Sequence, residues 1–174
     1  MATHSLLLVV RTFLAKRDSI RQRYQHPVIV WEPPRQTQRL IDTTDVSGTA
    51  MSFERGEPVA IEIVKGVIPN AFPFGVTIGH AENNDVVLRH QQVSRFHAYF
   101  QEANKRRCLV DASSRNGTWV DGQRLMPSKA FPLPPQAKIR FGLLEVTYVE
   151  PDQLVAWLDK RLADEPPGPK GAGR

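Results

Sequence analysis

Eight short runs of β-type residues fill the chain from about residue 53 to residue 150, and no stretch of helical period interrupts them. They read VAIEIV (59–64), FGVTIG (74–79), DVVL (85–88), HAYFQE (97–102), RCLVD (107–111), TWV (118–120), AKIRFG (137–142) and LLEVTYV (143–149). Turn residues separate them at intervals of roughly 8 to 12 positions, the rhythm of an antiparallel sandwich or barrel. The expected fold class is therefore mainly β, an antiparallel sandwich.

Within this block, DASSRNGTWVDGQRL (111–125) carries two turn signals almost on top of each other. Asn116-Gly117 and Asp121-Gly122 are both dipeptides that accept positive φ at the two central positions of a tight hairpin. Only Thr118, Trp119 and Val120 lie between them, enough for a very short strand.

The flanks have a different texture. Leu6, Val10, Phe13, Ile20 and Tyr24 recur at helical spacing, with Arg11, Lys16, Arg17, Arg21 and Arg23 off that stripe. This spacing predicts one amphipathic helix over residues 5 to 25, ending before His26-Pro27 and docking on its own domain. A basic amphipathic helix of this kind also has the chemistry to meet a membrane surface or a partner. A short strand, VIVW (28–31), and a polar linker, RQTQRLIDTTDVSG (35–48), complete an N-terminal segment of residues 1–52. After the β block (53–150), Pro151 suits a first helical position, and Leu154, Val155, Trp157, Leu158 and Leu162 form an apolar stripe over 151–165. Pro166-Pro167 stops that helix, and residues 166–174 are expected to be a disordered tail.

A chain of 174 residues can bury roughly 70% of its unfolded surface and needs no disulfide to hold a core. Its single cysteine, Cys108, excludes an internal disulfide and fits a reduced, cytoplasmic setting. Alternation places Cys108 with Val110 on one strand face, as a buried small hydrophobe. A net charge of +5 favours acidic partners, though the cations are spread along the whole chain. No apolar run approaches the ~18 residues of a membrane span, and MATHSLLLVVRTFLAKR makes a poor signal peptide.

Motifs for catalysis are missing. Ser94 and His97 lie three apart, which on a strand points them to opposite faces. No G-x-S-x-G, H-E-x-x-H, P-loop, paired-cysteine metal spacing or strand-linked G-x-G-x-x-G occurs, so neither an enzyme, a cofactor nor a metal is expected. The polar residues Ser94, Arg95, Arg115 and Asn116 instead fall in expected loops at strand ends. They supply the hydroxyl, amide and guanidinium donors that a phosphate oxyanion needs.

In order and spacing, TIGHAENNDVVLRHQQVSRFHAYF, then DASSRNGTWVDGQRL, then LPPQAKIRFG resemble the forkhead-associated (FHA) domain over about residues 59 to 149. The resemblance implies a sandwich of about eleven strands whose loops at one end hold phosphothreonine of a partner protein. It implies that Ser94 bonds the phosphate, that Arg95 and Arg115 assist, and that Asn116 bonds the peptide backbone beside the phosphothreonine. His97 would tie neighbouring loops together, with Gly79, Gly117, Thr118 and Gly122 as structural positions of the motif. Gln91 and Gln92 would lie near the subsite for the residue three positions after the phosphothreonine.

One position departs from the family pattern. Gly79-His80 stands where the family has Gly-Arg, an arginine that normally pairs with the phosphate. Three outcomes are open: His80 binds phosphate as imidazolium, Arg95, Arg115 or Arg89 supplies the missing guanidinium, or phosphate recognition is lost. The expected function is a non-catalytic adaptor for phosphothreonine proteins downstream of a serine/threonine kinase in signal transduction. The alternatives are a scaffold module that binds partners without reading phosphate and a basic nucleic-acid binder. Against the latter, the expected strand faces lack paired aromatics for base stacking. Thr43 and Thr44, in the linker, are candidate phosphorylation sites whose modified segment would fold onto the rim.

Overall fold

The computed structural model describes residues 3–33, 58–66, 70, 72–103 and 106–164. In chain order the elements are β1 (Thr3–Ser5), α1 (Leu6–Ala15), α2 (Arg17–Arg23), β2 (Val28–Trp31), β3 (Val59–Glu62) and β4 (Val76–Gly79). There follow β5 (Val86–Val87), β6 (Ala98–Ala103), β7 (Arg106–Asp111), β8 (Thr118–Val120) and β9 (Gln123–Arg124). The chain closes with β10 (Phe131–Pro132), β11 (Gln136–Phe141), β12 (Leu144–Val149) and α3 (Leu154–Ala163).

The strands form two sheets, one ordered β1-β3-β2-β12-β11-β8-β9 and the other β10-β7-β6-β4-β5. Every pairing is antiparallel except β4 with β5, which run parallel through Ile78 opposite Val86. The mainly β sandwich of about eleven strands is present, with twelve strands among the described residues.

Strand β2 shows how the layers are built. Ile29 and Trp31 face the core between the sheets, together with Ile61, Ile78, Phe100, Leu109, Ile139, Phe141 and Tyr148. Val28 and Val30 face the other way, into a second cluster with Leu6, Val9, Phe13, Ile20, Tyr24, Leu154, Trp157 and Leu158. An all-apolar run is what a strand buried on both faces requires. The helices are thus a third layer on the outer face of the seven-stranded sheet. The division at residues 52 and 53 therefore cuts a single sheet, because β2 pairs with both β3 and β12.

Two helix expectations are corrected. The N-terminal helix is broken at Lys16, whose φ of −158° and ψ of 80° are extended, so α1 and α2 turn separately around the core. The stripe still packs, since Leu6, Val10, Phe13, Ile20 and Tyr24 are all buried. At the other end, Pro151 lies in a turn before α3, where the Gln153 N–H donates to the Glu150 carbonyl at 3.0 Å. Arg17 pairs with Asp159 and Arg161 with Glu32, tying the helices together and to the end of β2. Cys108 is buried, as its strand alternation implies. The linker 35–48, with Thr43 and Thr44, and the tail 166–174 lie outside the described residues.

Candidate functional site

The two turn signals of residues 111–125 do different jobs. Asp121-Gly122 closes the two-residue hairpin between β8 and β9, with φ of 48° and 83°. At the first signal only Gly117 has positive φ, 81°, because Asn116-Gly117 closes no hairpin. Instead residues 112–117 cross from β7 in one sheet to β8 in the other. A loop that changes sheets must end at the sandwich rim, and there it meets residues 91–97.

Asp111, buried at the end of β7, anchors that crossing loop. Its carboxylate accepts from the Ser114 N–H at 3.0 Å, the Ser114 hydroxyl at 2.6 Å and the Thr118 hydroxyl at 2.5 Å. Burial alone would raise its pKa, but these donors outweigh it and hold the carboxyl below its ordinary range.

His97 joins the two loops. Its imidazole is 0% exposed, accepts the Ser94 N–H on Nδ1 at 2.9 Å, and places Nε2 3.1 Å from the Gly117 carbonyl oxygen. Nδ1 must therefore be unprotonated while Nε2 carries the hydrogen, the neutral tautomer. Burial lowers its pKa, against the Gly117 carbonyl and the Asp111 charge, which raise it. A group whose folded pKa lies below its unfolded value takes up protons more readily when unfolded. Stability is thus expected to fall as pH drops below the ordinary value of 6.5, which urea midpoints at pH 7.5 and pH 5.5 will register. His97→Gln should flatten that dependence.

Ser94 and His97 meet because residues 91–97 are a loop, contrary to the strand geometry assumed for them. The meeting is not that of a nucleophile and its base: the imidazole holds the Ser94 backbone, while the Ser94 Oγ accepts the Arg115 N–H at 2.9 Å. The Ser94 hydroxyl hydrogen has no acceptor among the described residues and can be donated outward. Asn116 Nδ2 donates to the Gln92 carbonyl at 2.9 Å and its Oε1 at 3.0 Å, leaving Asn116 Oδ1 as an open acceptor among the described residues. The β11–β12 turn supports this corner from below; a Cβ on Gly142 would fall 2.7 Å from the Gln92 oxygen.

Gln91, Gln92, Val93, Ser94, Arg95, Phe96, Arg115 and Asn116 line a cleft of about 360 Å³. The Arg95 and Arg115 side chains are exposed, and among the described residues neither guanidinium has a hydrogen-bond or ion-pair partner. Arg89 is engaged instead, gripping Glu82 through Nε at 3.0 Å and Nη2 at 2.6 Å. His80 is exposed and does not line the cleft; it reaches Ser94 only through its backbone N–H, 2.9 Å from the Ser94 carbonyl. Gly79 before it admits no side chain, since a Cβ would lie 2.4 Å from the Arg95 carbonyl oxygen.

Sequence reasoning missed the residues beneath the rim. Asp111 and Asp85 are buried carboxylates to which the motifs assign no role, although Asp85 lies within the Asn84-Asp85-Val86 stretch of the resemblance, and each serves as a knot for a loop. The one available signal was an aspartate placed at a strand end just before a Ser-rich turn. Among the described residues no group of histidines, cysteines and carboxylates is arranged to hold a metal ion. No described helix is long and apolar enough to cross a membrane.

The sandwich thus gathers hydrogen-bond donors on loops at one end, where binding groups usually sit. Residues 76–142 match the family model of the FHA domain. Several solved FHA structures are similar to this chain. One, described in work on phosphothreonine-dependent FHA interactions, is 19% identical with a TM-score of 0.44, covering 71% of this chain and 95% of its own. Mycobacterium tuberculosis EmbR, in complex with a low-affinity phosphopeptide, is 19% identical with a TM-score of 0.45, covering 80% of this chain and 30% of its own. The FHA domain of the Chlamydia trachomatis CT664 protein is 20% identical with a TM-score of 0.42, covering 52% and 84%. Among curated proteins no sequence match was found.

Proposed function

We propose that this chain is a non-catalytic adaptor that binds phosphothreonine segments of partner proteins in the cleft between residues 91–96 and 115–116. A serine/threonine kinase would act upstream of it, within a cytoplasmic signalling route. The observation that carries the reading is the pair of exposed guanidiniums, Arg95 and Arg115, which have no partner among the described residues and flank a Ser94 hydroxyl with no acceptor among them. Guanidinium and hydroxyl donors converging in one cleft suit a dianion of phosphate size. Of the three outcomes open at His80, this favours arginine compensation, because His80 stands outside the cleft and Arg89 is committed to Glu82.

The test is titration of the full chain with an oriented phosphothreonine peptide library and its dephosphorylated counterpart. Selective retention of phosphorylated members is expected; equal retention of both would make the module a phosphate-independent scaffold. Asn116 gives a residue-level check. Its open Oδ1 would take a peptide N–H, and Asn116→Ala should weaken the selected peptide by about 1–3 kcal/mol. Calorimetric affinity unchanged by the substitution would remove Asn116 from the site.

A further inference from the structure

Beside the cleft lies an aromatic surface that the phosphate reading does not use. Phe72 packs on Tyr99 with ring centroids 4.6 Å apart, and Phe96 lies nearly parallel to Tyr99 at 6.1 Å and 18°. Phe72 also meets Phe96 at 5.7 Å and takes Phe74 edge-on at 6.4 Å. Tyr99 projects from β6 away from the inter-sheet core, since its neighbours Ala98 and Phe100 are the residues that point inward. Yet Phe74 is 81% exposed and Phe96 40% exposed, so the group presents ring surface to solvent. A contiguous aromatic patch of this kind, unlike a single exposed ring, marks a contact surface.

The patch is fixed in advance. The Phe72 N–H donates to Asn70 Oδ1 at 3.1 Å, and Lys65 Nζ donates to the Phe72 carbonyl at 2.6 Å and to Asn70 Oδ1 at 2.8 Å. It is also continuous with the cleft, because Phe96 belongs to both and follows Arg95 directly. An occupant must therefore present an anion to Arg95 and Arg115 and, a short distance along, an apolar group to the rings.

We propose that Phe72, Phe74, Phe96 and Tyr99 form a specificity shelf that receives an aliphatic or aromatic side chain of the phosphothreonine peptide bound in the adjoining cleft. The proposal rests on the phosphothreonine reading and adds to it the chemistry of a flanking residue. Rings already packed at 4.6–6.1 Å leave no slot for intercalated bases, which favours a peptide side chain laid on top over a nucleic-acid strand.

The experiment compares two peptides on the full chain: the best phosphothreonine sequence from an oriented library, and the same sequence with its selected apolar flanking residue replaced by Ala. Wild type should prefer the apolar peptide by about 5- to 20-fold. Phe74→Ala, outside the cleft, should erase most of that preference while binding the Ala-containing phosphopeptide within about twofold of wild type, and Phe96→Ala should weaken the apolar peptide more than the Ala-containing one. Phe74 is so exposed that its truncation leaves the fold intact. If the library shows phosphate dependence but no apolar enrichment, or the variants lose both peptides equally, the shelf is refuted and the phosphate reading survives. If no phosphopeptide is retained, both fall. Tight binding of a fluorescent single-stranded oligonucleotide, steeply salt-dependent and lost in the Phe variants, would reassign the rings to base stacking and overturn the proposal.

Discussion

Asp85→Ala is expected to destabilise the protein by about 3–5 kcal/mol, because it strips the acceptor from the Gly66 N–H and from the Thr77 N–H and hydroxyl, each buried donor left unsatisfied costing about 1–3 kcal/mol. Asp85 is buried, and its carboxylate accepts from the Gly66 N–H at 2.8 Å, the Thr77 N–H at 2.8 Å, the Thr77 hydroxyl at 2.9 Å and Lys65 Nζ at 2.9 Å. Burial would raise its pKa, but these donors prevail and hold it at about 2. Relative to its ordinary 3.8, that depression corresponds to about 2 kcal/mol of native-state stability. The sign follows from the direction: a depressed folded pKa stabilises above the unfolded value and loses that contribution as pH falls from about 4 through about 2. Wild type should therefore show a stability decline in that acid window which Asp85→Ala lacks. Asp85→Asn, which keeps the shape and one acceptor, should lie between the two. Urea denaturation at pH 7 is the measurement, and a loss below about 1 kcal/mol for Asp85→Ala would show that the knot is not cohesive. The consequence reaches the aromatic shelf, because the same Lys65 ammonium that pairs with Asp85 also holds the Phe72 carbonyl.

The strands were legible in the sequence, whereas the burial of the two aspartates and their role as loop anchors were not, even for Asp85 inside the NNDVVL stretch. Alternation and turn spacing reveal which residues face a core, and β6, β7, β11 and β12 emerged within a residue or two of their expected bounds. The very short strands β9 and β10 carry no period to detect; each is set by pairing with a neighbour already in place. VIVW was read as a short strand in an N-terminal appendage, yet it is central in its sheet. Its unbroken apolar run was the clue, but a run of four does not say what covers its second face. The helix break at Lys16 was invisible because the apolar stripe continues through it on both sides. At the rim, the motif residues could be named but not their division of labour. Ser94 and His97 are neighbours only because residues 91–97 leave strand geometry, and whether an arginine is free depends on a distant carboxylate, as Glu82 shows for Arg89.

That division of labour makes the sharpest binding experiment. Arg115→Ala or Arg95→Ala is expected to weaken a phosphothreonine peptide by about ten- to a hundredfold, the worth of one charge-assisted hydrogen bond of about 1.5–3 kcal/mol. The double variant should abolish measurable binding. Neither substitution should disturb the fold, since both side chains are exposed and without described partners; Arg115 contributes to the loop through its backbone N–H, which alanine retains. His80→Ala, by contrast, should leave affinity within about twofold, because only the His80 backbone touches the rim. The pH profile separates the same alternatives. With two permanent guanidiniums holding the phosphate, affinity should be flat from pH 8 to about 7 and decline toward pH 5.5 as the phosphate, with second pKa near 6, loses charge. An imidazolium contact would do the reverse over the first part of that range, strengthening binding as pH falls from about 7.5 to 6. Rising affinity there, abolished by His80→Ala, would put His80 back in the site and demote the arginines. A flat profile that falls with phosphate protonation, together with the loss on truncating Arg95 and Arg115, would mean that the guanidinium missing beside Gly79 has been supplied from the facing loops.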